Sequence, residues 1–362
     1  MSLPVRDDLV GRKPYGAPQL PGIALNVNEN PYGPSPALVA ALGRAVEQVA
    51  GSLNRYPDRE ALALRSDLAA YLGRQTGVAL TPDQVWAANG SNEVLQQVLQ
   101  AFGGPGRVAL GFEPSYSMHP LVAAGTATGW VAVQRAADFT LAASDAVAAV
   151  REHRPYVTFL TTPNNPTGTA TPLDVVDAVC AASDGMVVVD EAYAEFSSAL
   201  SAATLLDRHP RLLVSRTMSK AFALAGARLG YLAASAEAVD ALRLVRLPYH
   251  LSAVTQAVAR TALTFEAELL GTVEAVKTQR DRIATELRAE GLTVVPTEAN
   301  FCLFGPWEDP PVTWQALLDQ GVLVRDLSTT PGLAGWLRVN AGTEPETDAF
   351  LTAVRKVRSL SR

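Results

Sequence analysis

The chain has 362 residues, of which 48% are apolar and 18% charged, and its formal net charge is -6. This balance excludes a disordered chain, and the net negative charge gives no general attraction to nucleic acid or to an anionic membrane. A chain of this length predicts one large domain and a smaller one, with small molecules as partners.

The sequence indicates no membrane span, no signal peptide and no paired or metal-binding cysteines. No run of about eighteen apolar residues, the length that spans a bilayer, occurs. The first residues lack the apolar core of a signal peptide, so we expect a cytoplasmic protein. Cys180 and Cys302 lie far apart without the spacing of a metal site, which predicts two reduced thiols and no metal.

The predicted elements divide the chain into three parts. Residues 1–35 are rich in Pro, Gly and Asn and predict an N-terminal arm that must dock to be ordered. Residues 36–245 alternate helix-like stretches with short β-branched runs, which predicts a large α/β domain with a mostly parallel sheet. Its predicted strands are 84–88, 107–111, 156–161, 186–190, 212–215 and 228–233. Ligands bind outside the carboxyl ends of such strands, where the polar motifs of this chain lie.

Residues 246–362 predict a smaller α+β domain. A long amphipathic stretch over 253–290 comes first, and a helix over 346–360 ends the chain. The strands predicted between them are 293–296, 301–304, 322–325 and 336–340. The predicted fold class is therefore α/β, a large domain with a mostly parallel sheet followed by a smaller α+β domain.

Lysine is rare, with only four among the 30 basic residues. Lys13 lies in the arm, and Lys277 and Lys356 have charged neighbours that indicate solvated helix faces. Lys220 instead follows an apolar strand and precedes small and apolar residues, where desolvation lowers the pKa of an amine. Such an amine suits an imine-forming nucleophile, although a lysine after a strand is more often structural.

Three polar residues at strand ends could serve a pyridine ring. Asp190 ends the apolar run 187–189, Tyr193 follows it, and Asn165 lies in a loop that reads TTPNNPTG. A ring that accepts electrons needs a carboxylate to keep its nitrogen protonated, and a phenol and an amide can hydrogen-bond to a ring hydroxyl. Each of these residue types is also common in turns and caps.

An anion site is predicted where the sequence GSNE follows a strand and opens a helix. Backbone N–H groups of Ser91 and Asn92 would face the anion together with the helix dipole. Arg228, with the hydroxyl of Thr217 or Ser219, would complete a phosphate cup. Alone, GSNE is only a helix N-cap signature.

Aromatic and histidine side chains near these motifs are harder to assign. Tyr116 follows a strand end and is predicted to stack on a cofactor ring, with an ordinary core aromatic as its alternative. His119 and His250 are lone histidines near apolar residues, which are more often structural groups. Neither is predicted to be catalytic.

The order of these motifs, NNPTG, D-x-x-Y, S-K and then Arg, resembles the fold-type I aminotransferases, which use pyridoxal 5'-phosphate. Further segments resemble the histidinol-phosphate aminotransferase branch of that family. They are LNVNENP at 25–31, RYP at 55–57, SYSM at 115–118, SRTMSKAF at 215–222 and LRVNAGT at 337–343. The resemblance covers nearly the whole chain.

The resemblance implies roles for the cofactor-binding residues. Lys220 would bind the cofactor as an imine and move the substrate proton, and Asp190 would pair with the pyridine nitrogen. Asn165 and Tyr193 would contact the ring oxygen, while Tyr116 stacks on the ring. The groups implied for the phosphate are Ser91, Asn92, Thr217 or Ser219, Arg228 and, from a second subunit, Tyr56.

Substrate binding and assembly are also implied by the resemblance. Arg338 would hold the α-carboxylate of glutamate, Arg325 is similar to a second anion-binding arginine, and Tyr15 to an arm tyrosine that closes over substrate. A tyrosine shared between subunits implies a homodimer. The implied reaction exchanges an amino group between L-histidinol phosphate and 2-oxoglutarate in histidine biosynthesis, giving imidazole acetol phosphate and glutamate.

Three alternatives use much of the same site. An aromatic (phenylalanine) aminotransferase differs only in the pocket lining, and a phosphothreonine-type decarboxylase also takes a phosphorylated amino acid. Arg325 beside Arg338 and the SYSM sequence favour the phosphate substrate. A non-catalytic regulator is disfavoured because Lys220 is intact and no helix-turn-helix or basic segment is evident.

Overall fold

The computed structural model describes residues 3–11, 16 and 18–360. Within this part of the chain, β-strands and α-helices alternate over most of the length. The strands are β1 (Ile23–Ala24), β2 (Val85–Ala88), β3 (Val108–Glu113), β4 (Gly129–Gln134), β5 (Val157–Thr161), β6 (Met186–Asp190), β7 (Leu212–Thr217), β8 (Gly230–Ala233), β9 (Thr293–Val294), β10 (Phe301–Gly305), β11 (Val322–Leu323), β12 (Arg325–Asp326) and β13 (Leu337–Asn340). The helices are α1 (Pro36–Ala50), α2 (Leu62–Thr76), α3 (Ser91–Phe102), α4 (Met118–Gly125), α5 (Ala143–His153), α6 (Leu173–Ala182), α7 (Ala236–Val245), α8 (Ala253–Leu263), α9 (Glu266–Ala289), α10 (Pro310–Asp319) and α11 (Glu344–Leu360).

The central sheet has seven strands in the order β2-β8-β7-β6-β5-β3-β4. Strand β8 is antiparallel to β2 and β7, and the other pairs are parallel. Strand β6 reads MVVVD, the continuous apolar pattern of a strand covered on both faces. Val187 and Val189 pack in one apolar layer and Val188 in another. Packed layers on both faces leave the carboxyl ends of the strands as the place for polar chemistry.

The six strands predicted for this sheet are all present, with five of them shifted at one or both ends by one or two residues and one strand added. Strand β8 begins at Gly230 rather than at Arg228, because Arg228 has a left-handed backbone with φ 55° that cannot continue a strand. The prediction lacks β4, which lies at the edge of the sheet and pairs only with β3.

The C-terminal part contains a second sheet in the order β12-β13-β10-β9, with every pair antiparallel. Strand β1, from the predicted arm, pairs in parallel with β11. The arm is therefore joined to the C-terminal part by backbone hydrogen bonds. The domain boundaries at residues 35 and 245 stay predictions.

The stretch predicted as one amphipathic unit over 253–290 is two helices, α8 and α9. Thr264 ends α8 with a hydroxyl that donates to the Thr261 carbonyl oxygen at 2.7 Å, and Phe265 packs against the core. Glu266 and Glu268 then lie in the first turn of α9, where carboxylates favour the positive end of the helix dipole. Helix α8 packs on α1 and α2. Among the described helices, none has the length and apolar character to cross a membrane.

Candidate active site

A cavity of about 420 Å³ lies at the carboxyl ends of the parallel strands β5 and β6. Twelve of the site residues predicted from the sequence line it. They are Ser91, Asn92, Tyr116, Asn165, Asp190, Tyr193, Thr217, Ser219, Lys220, Arg228, Arg325 and Arg338. Motifs that are far apart in the sequence therefore meet in one place.

Tyr56, the residue predicted to act on a second subunit, does not line the cavity of its own chain. Tyr56 is 80% exposed, and its ring stacks on Tyr249 with the centroids 4.4 Å apart. This exposure accords with a residue that would act on a second subunit, and that role stays a prediction. Tyr15 lies outside the described residues.

Lys220 follows β7 and is succeeded by the buried residues Ala221 and Phe222. Its Nζ donates a hydrogen bond to the Val27 carbonyl oxygen at 2.9 Å. Desolvation by burial lowers the pKa of Lys220 to about 8, with the charge of Arg338 acting in the same direction. About a tenth of the amine is therefore neutral, and nucleophilic, at pH 7.

Asp190 is the last residue of β6 and is 2% exposed. One carboxylate oxygen, Oδ2, lies 3.2 Å from Nε2 of His119, and the other accepts the Ala192 N–H at 3.2 Å. The His119 ring stacks on Phe159 with the centroids 4.6 Å apart. His119, which is not predicted to be catalytic, lies against Asp190 in the structure. Its position one turn after Tyr116 is the only sequence signal for this contact.

Tyr193 and Asn165 form a hydrogen-bonded group with two residues of other segments. The Tyr193 hydroxyl accepts a hydrogen bond from Asn28 at 2.9 Å and lies 3.5 Å from Nδ2 of Asn165. The Asn165 side-chain oxygen accepts a hydrogen bond from Arg338. Asn28 belongs to the LNVNENP segment, but no role is predicted for it from the sequence. The group links the predicted ring-oxygen contacts to a predicted substrate arginine.

The predicted phosphate cup is assembled around the N-terminus of α3. Gly90 has φ 84°, and a Cβ there would lie 2.6 Å from Nη2 of Arg228. The left-handed φ favours glycine at this position, and a side chain here would also have to displace the Arg228 guanidinium. The Thr217 hydroxyl oxygen lies 3.0 Å from that of Ser219. Backbone N–H groups, a guanidinium and hydroxyls thus converge as an anion requires.

Two arginines lie opposite each other on neighbouring strands. Arg325 of β12 is the register partner of Arg338 of β13. Arg338 is 7% exposed and donates to the Asn26 carbonyl oxygen at 2.9 Å. Like charges directly opposite on antiparallel strands are destabilising. A bound anion between them would offset that repulsion, so this pair is a candidate for a second anion site in the cavity.

These residues fit pyridoxal phosphate, the cofactor that the sequence resemblance implies. A buried carboxylate stands at a strand end for the pyridine nitrogen, and Gly90 leaves room for Arg228 at the phosphate cup. Lys220 supplies an amine of lowered pKa. Each feature suits one part of the cofactor.

Comparison with known proteins establishes the class. The family model "Aminotransferase class I and II" matches residues 21–354. A histidinol-phosphate aminotransferase from Sinorhizobium meliloti, solved with pyridoxal 5'-phosphate, superposes with a TM-score of 0.86 at 25% identity and covers 99% of both chains. The chain belongs to the class I and II aminotransferases, with the fold-type I architecture that the sequence predicted.

Closer relatives define the branch within that class. The histidinol-phosphate aminotransferase of Frankia casuarinae is 63% identical over 97% of this chain and 89% of its own length. That of Thermobifida fusca is 61% identical over 97% of this chain and 95% of its own length. The chain therefore belongs to the histidinol-phosphate aminotransferases.

Proposed function

We propose that this enzyme transfers the amino group of L-histidinol phosphate to 2-oxoglutarate, giving imidazole acetol phosphate and glutamate in histidine biosynthesis. The observation that carries the proposal is the facing pair Arg325 and Arg338, which lies in the same cavity as the amine of Lys220. The names of its relatives support the same reaction.

The arginine pair suits both glutamate and histidinol phosphate, the two amino donors of the reversible reaction. Glutamate carries two carboxylates, whereas histidinol phosphate carries a phosphate and no carboxylate. Guanidinium groups bind either anion by paired hydrogen bonds. We assign the α-carboxylate of glutamate to Arg338. Its second carboxylate is assigned to Arg325. One cavity then serves both half-reactions.

Pyridoxal phosphate, when bound, supplies a ring that accepts the electron pair released at the substrate α-carbon. Lys220 would act as the general base that takes the proton from the substrate α-carbon and holds it for return, as its lowered pKa of about 8 allows. Asp190 keeps the pyridine nitrogen protonated, and Tyr193 and Asn165 hydrogen-bond to the ring oxygen. Tyr116 packs against the ring. The phosphate contacts we propose are Ser91, Asn92, Thr217, Ser219 and Arg228.

We further propose a cytoplasmic homodimer with shared active sites. Tyr56 is mostly exposed and lies outside the cavity of its own chain. In a dimer its hydroxyl would reach the phosphate bound by the partner. Tyr15 of the arm would close over the substrate.

A comparison of amino donors tests the proposed reaction. Purified enzyme, saturated with pyridoxal phosphate, is assayed with L-histidinol phosphate and with phenylalanine as donors to 2-oxoglutarate. We expect kcat/KM for histidinol phosphate to be higher by about 100-fold or more, because a site built to bind an anion rejects a donor that lacks it. Preference for phenylalanine would move the enzyme to the aromatic branch. Absence of transamination with either donor would make decarboxylation the next reaction to test.

A further inference from the structure

Glu29 is a carboxylate in the active-site cavity to which none of the roles above is assigned. It lines the cavity together with Lys220 and the arginine pair. Its negative charge opposes the lowering of the Lys220 pKa, so it lies within electrostatic reach of the reacting amine. Among the described residues, its side chain has no hydrogen bond and no ion pair.

Hydrogen bonds of the Asn28 carbonyl oxygen and of the Asn30 side-chain amide hold the chain on both sides of Glu29. Asn28 has a left-handed φ of 57°, and its carbonyl oxygen accepts a hydrogen bond from Asn300 at 3.1 Å. Asn30 donates to the Ala221 carbonyl oxygen at 3.3 Å and to the Thr272 hydroxyl at 3.0 Å. Glu29 is therefore held at the cavity by its neighbours, while its own carboxylate stays available.

The other two carboxylates that line the described cavity are already engaged. Asp190 is buried and contacts His119 and the Ala192 N–H. Asp326 accepts the Ser328 N–H at 2.8 Å. The cationic side chains of the lining, three arginines and Lys220, suit the anionic parts of cofactor and substrate. A carboxylate among them suits a ligand group that donates a hydrogen bond.

We propose that Glu29 determines the preference for an imidazole-bearing amino donor by accepting a hydrogen bond from the ring N–H. This inference rests on the proposed function and assigns the residue that recognises the imidazole ring of the amino donor. An imidazole carries at least one N–H in both its neutral and its cationic form. A phenyl ring offers no hydrogen-bond donor and would desolvate the Glu29 carboxylate. The side-chain carboxylate of a glutamate substrate would be repelled by the Glu29 carboxylate.

Substitution of Glu29 tests the proposal through the ratio of two donors. The Glu29→Ala variant should lose about tenfold in kcat/KM for L-histidinol phosphate, in the range measured for a hydrogen bond to a charged group. Its kcat/KM for glutamate should stay within about threefold of wild type or rise, because a repulsive charge is removed. The Glu29→Gln variant, which keeps an acceptor oxygen, should be intermediate. Asp326→Asn is the matched control, since it removes equal charge from the same cavity and should leave the donor ratio within about threefold of wild type.

A binding measurement separates substrate recognition from effects on the reacting lysine. L-histidinol phosphate is titrated by calorimetry into enzyme converted to its pyridoxamine form, which cannot react with an amino donor. The dissociation constant should rise about tenfold in Glu29→Ala, for the same loss of a charged hydrogen bond.

Two results would overturn the role of Glu29. One is an equal loss of kcat/KM with both donors, together with a changed pH dependence of the visible absorbance of the holoenzyme, since Glu29 would then act on Lys220. The other is an unchanged kcat/KM with both donors, since Glu29 would then take no part in donor recognition. In either case wild-type enzyme would still use histidinol phosphate, whereas failure of the proposed function would appear as a wild-type enzyme that does not.

Discussion

The amine of Lys220 shows how burial prepares a single residue for chemistry. Desolvation lowers its pKa to about 8, and Arg338 and Arg228 add to this effect while Glu29 opposes it. A lysine in water would be almost fully protonated at neutral pH and a poor nucleophile. The apolar sequence around Lys220 therefore contributes to reactivity as well as to packing.

The pH dependence of cofactor capture follows from this pKa. Only the neutral amine attacks an aldehyde, and with a pKa near 8 about a tenth of it is neutral at pH 7 and about nine tenths at pH 9. Stopped-flow absorbance of apoprotein mixed with pyridoxal phosphate should show the imine-forming rate rising about tenfold over that range and then levelling off. A rate that still climbs tenfold per pH unit above pH 9 would mean an unperturbed lysine. The Lys220→Ala variant provides the baseline.

Most of the cavity residues could be predicted from the sequence because each lies in a short motif at a strand end. Lys220, Asp190 and Asn165 are recognisable from their immediate neighbours. His119 and Asn28 are not, because their significance lies in contacts with Asp190 and Tyr193, 71 and 165 residues away along the chain. Such contacts depend on the order of strands in the sheet, which local sequence does not encode.

Behind the active site, an ionic cluster joins the ends of β6 and β7. Arg216 is 4% exposed, and its guanidinium lies 2.7 Å from Glu191 and 3.1 Å from Glu195. Burial lowers the pKa of Arg216, but the two carboxylates outweigh that effect and raise it above its ordinary value. Alternate residues of a strand face opposite sides. Arg216 therefore holds these strands from the face opposite Thr217 and its phosphate cup.

Removal of this guanidinium should destabilise the protein strongly. In Arg216→Met the carboxylates of Glu191 and Glu195 would be buried without their cation, which costs about 3–5 kcal/mol in comparable buried pairs. Denaturant unfolding of the apoprotein measures the change. Arg74→Met, which breaks an ion pair in which Arg74 is 54% exposed, is the control and should change stability by less than about 1 kcal/mol. Equal effects of the two substitutions would contradict the importance of the cluster.

Strand β4 and the break between α8 and α9 could not be predicted from the hydrophobic pattern of the sequence. The strands with continuous apolar runs were predictable because both faces of the sheet are covered, as in β6. Strand β4 has a partly exposed pattern at a sheet edge, so its hydrophobic signal is weaker. The break between α8 and α9 depends on the packing of Phe265 and on the contacts of Glu266 with Arg74 and Gln75 of α2. Those are tertiary interactions that helical periodicity does not include.

At the scale of the whole molecule, the cavity is built from three distant parts of the chain. Residues 26–29 form one wall, the ends of the central strands form the floor, and β12 with β13 brings the arginine pair. The pairing of β1 with β11 fixes the first wall to the third.

A mixing experiment tests whether Tyr56 completes the site of a second subunit. Homodimers of the Lys220→Ala variant should be inactive. Homodimers of the Tyr56→Ala variant should lose about tenfold or more in activity, as expected for loss of a charged hydrogen bond. When the two variants are co-expressed, each mixed dimer has one site with both residues intact. Random pairing then restores about a quarter of wild-type activity per active site. If Tyr56 acted only within its own chain, mixed dimers would contain no intact site, and activity would not exceed the average of the two parent variants.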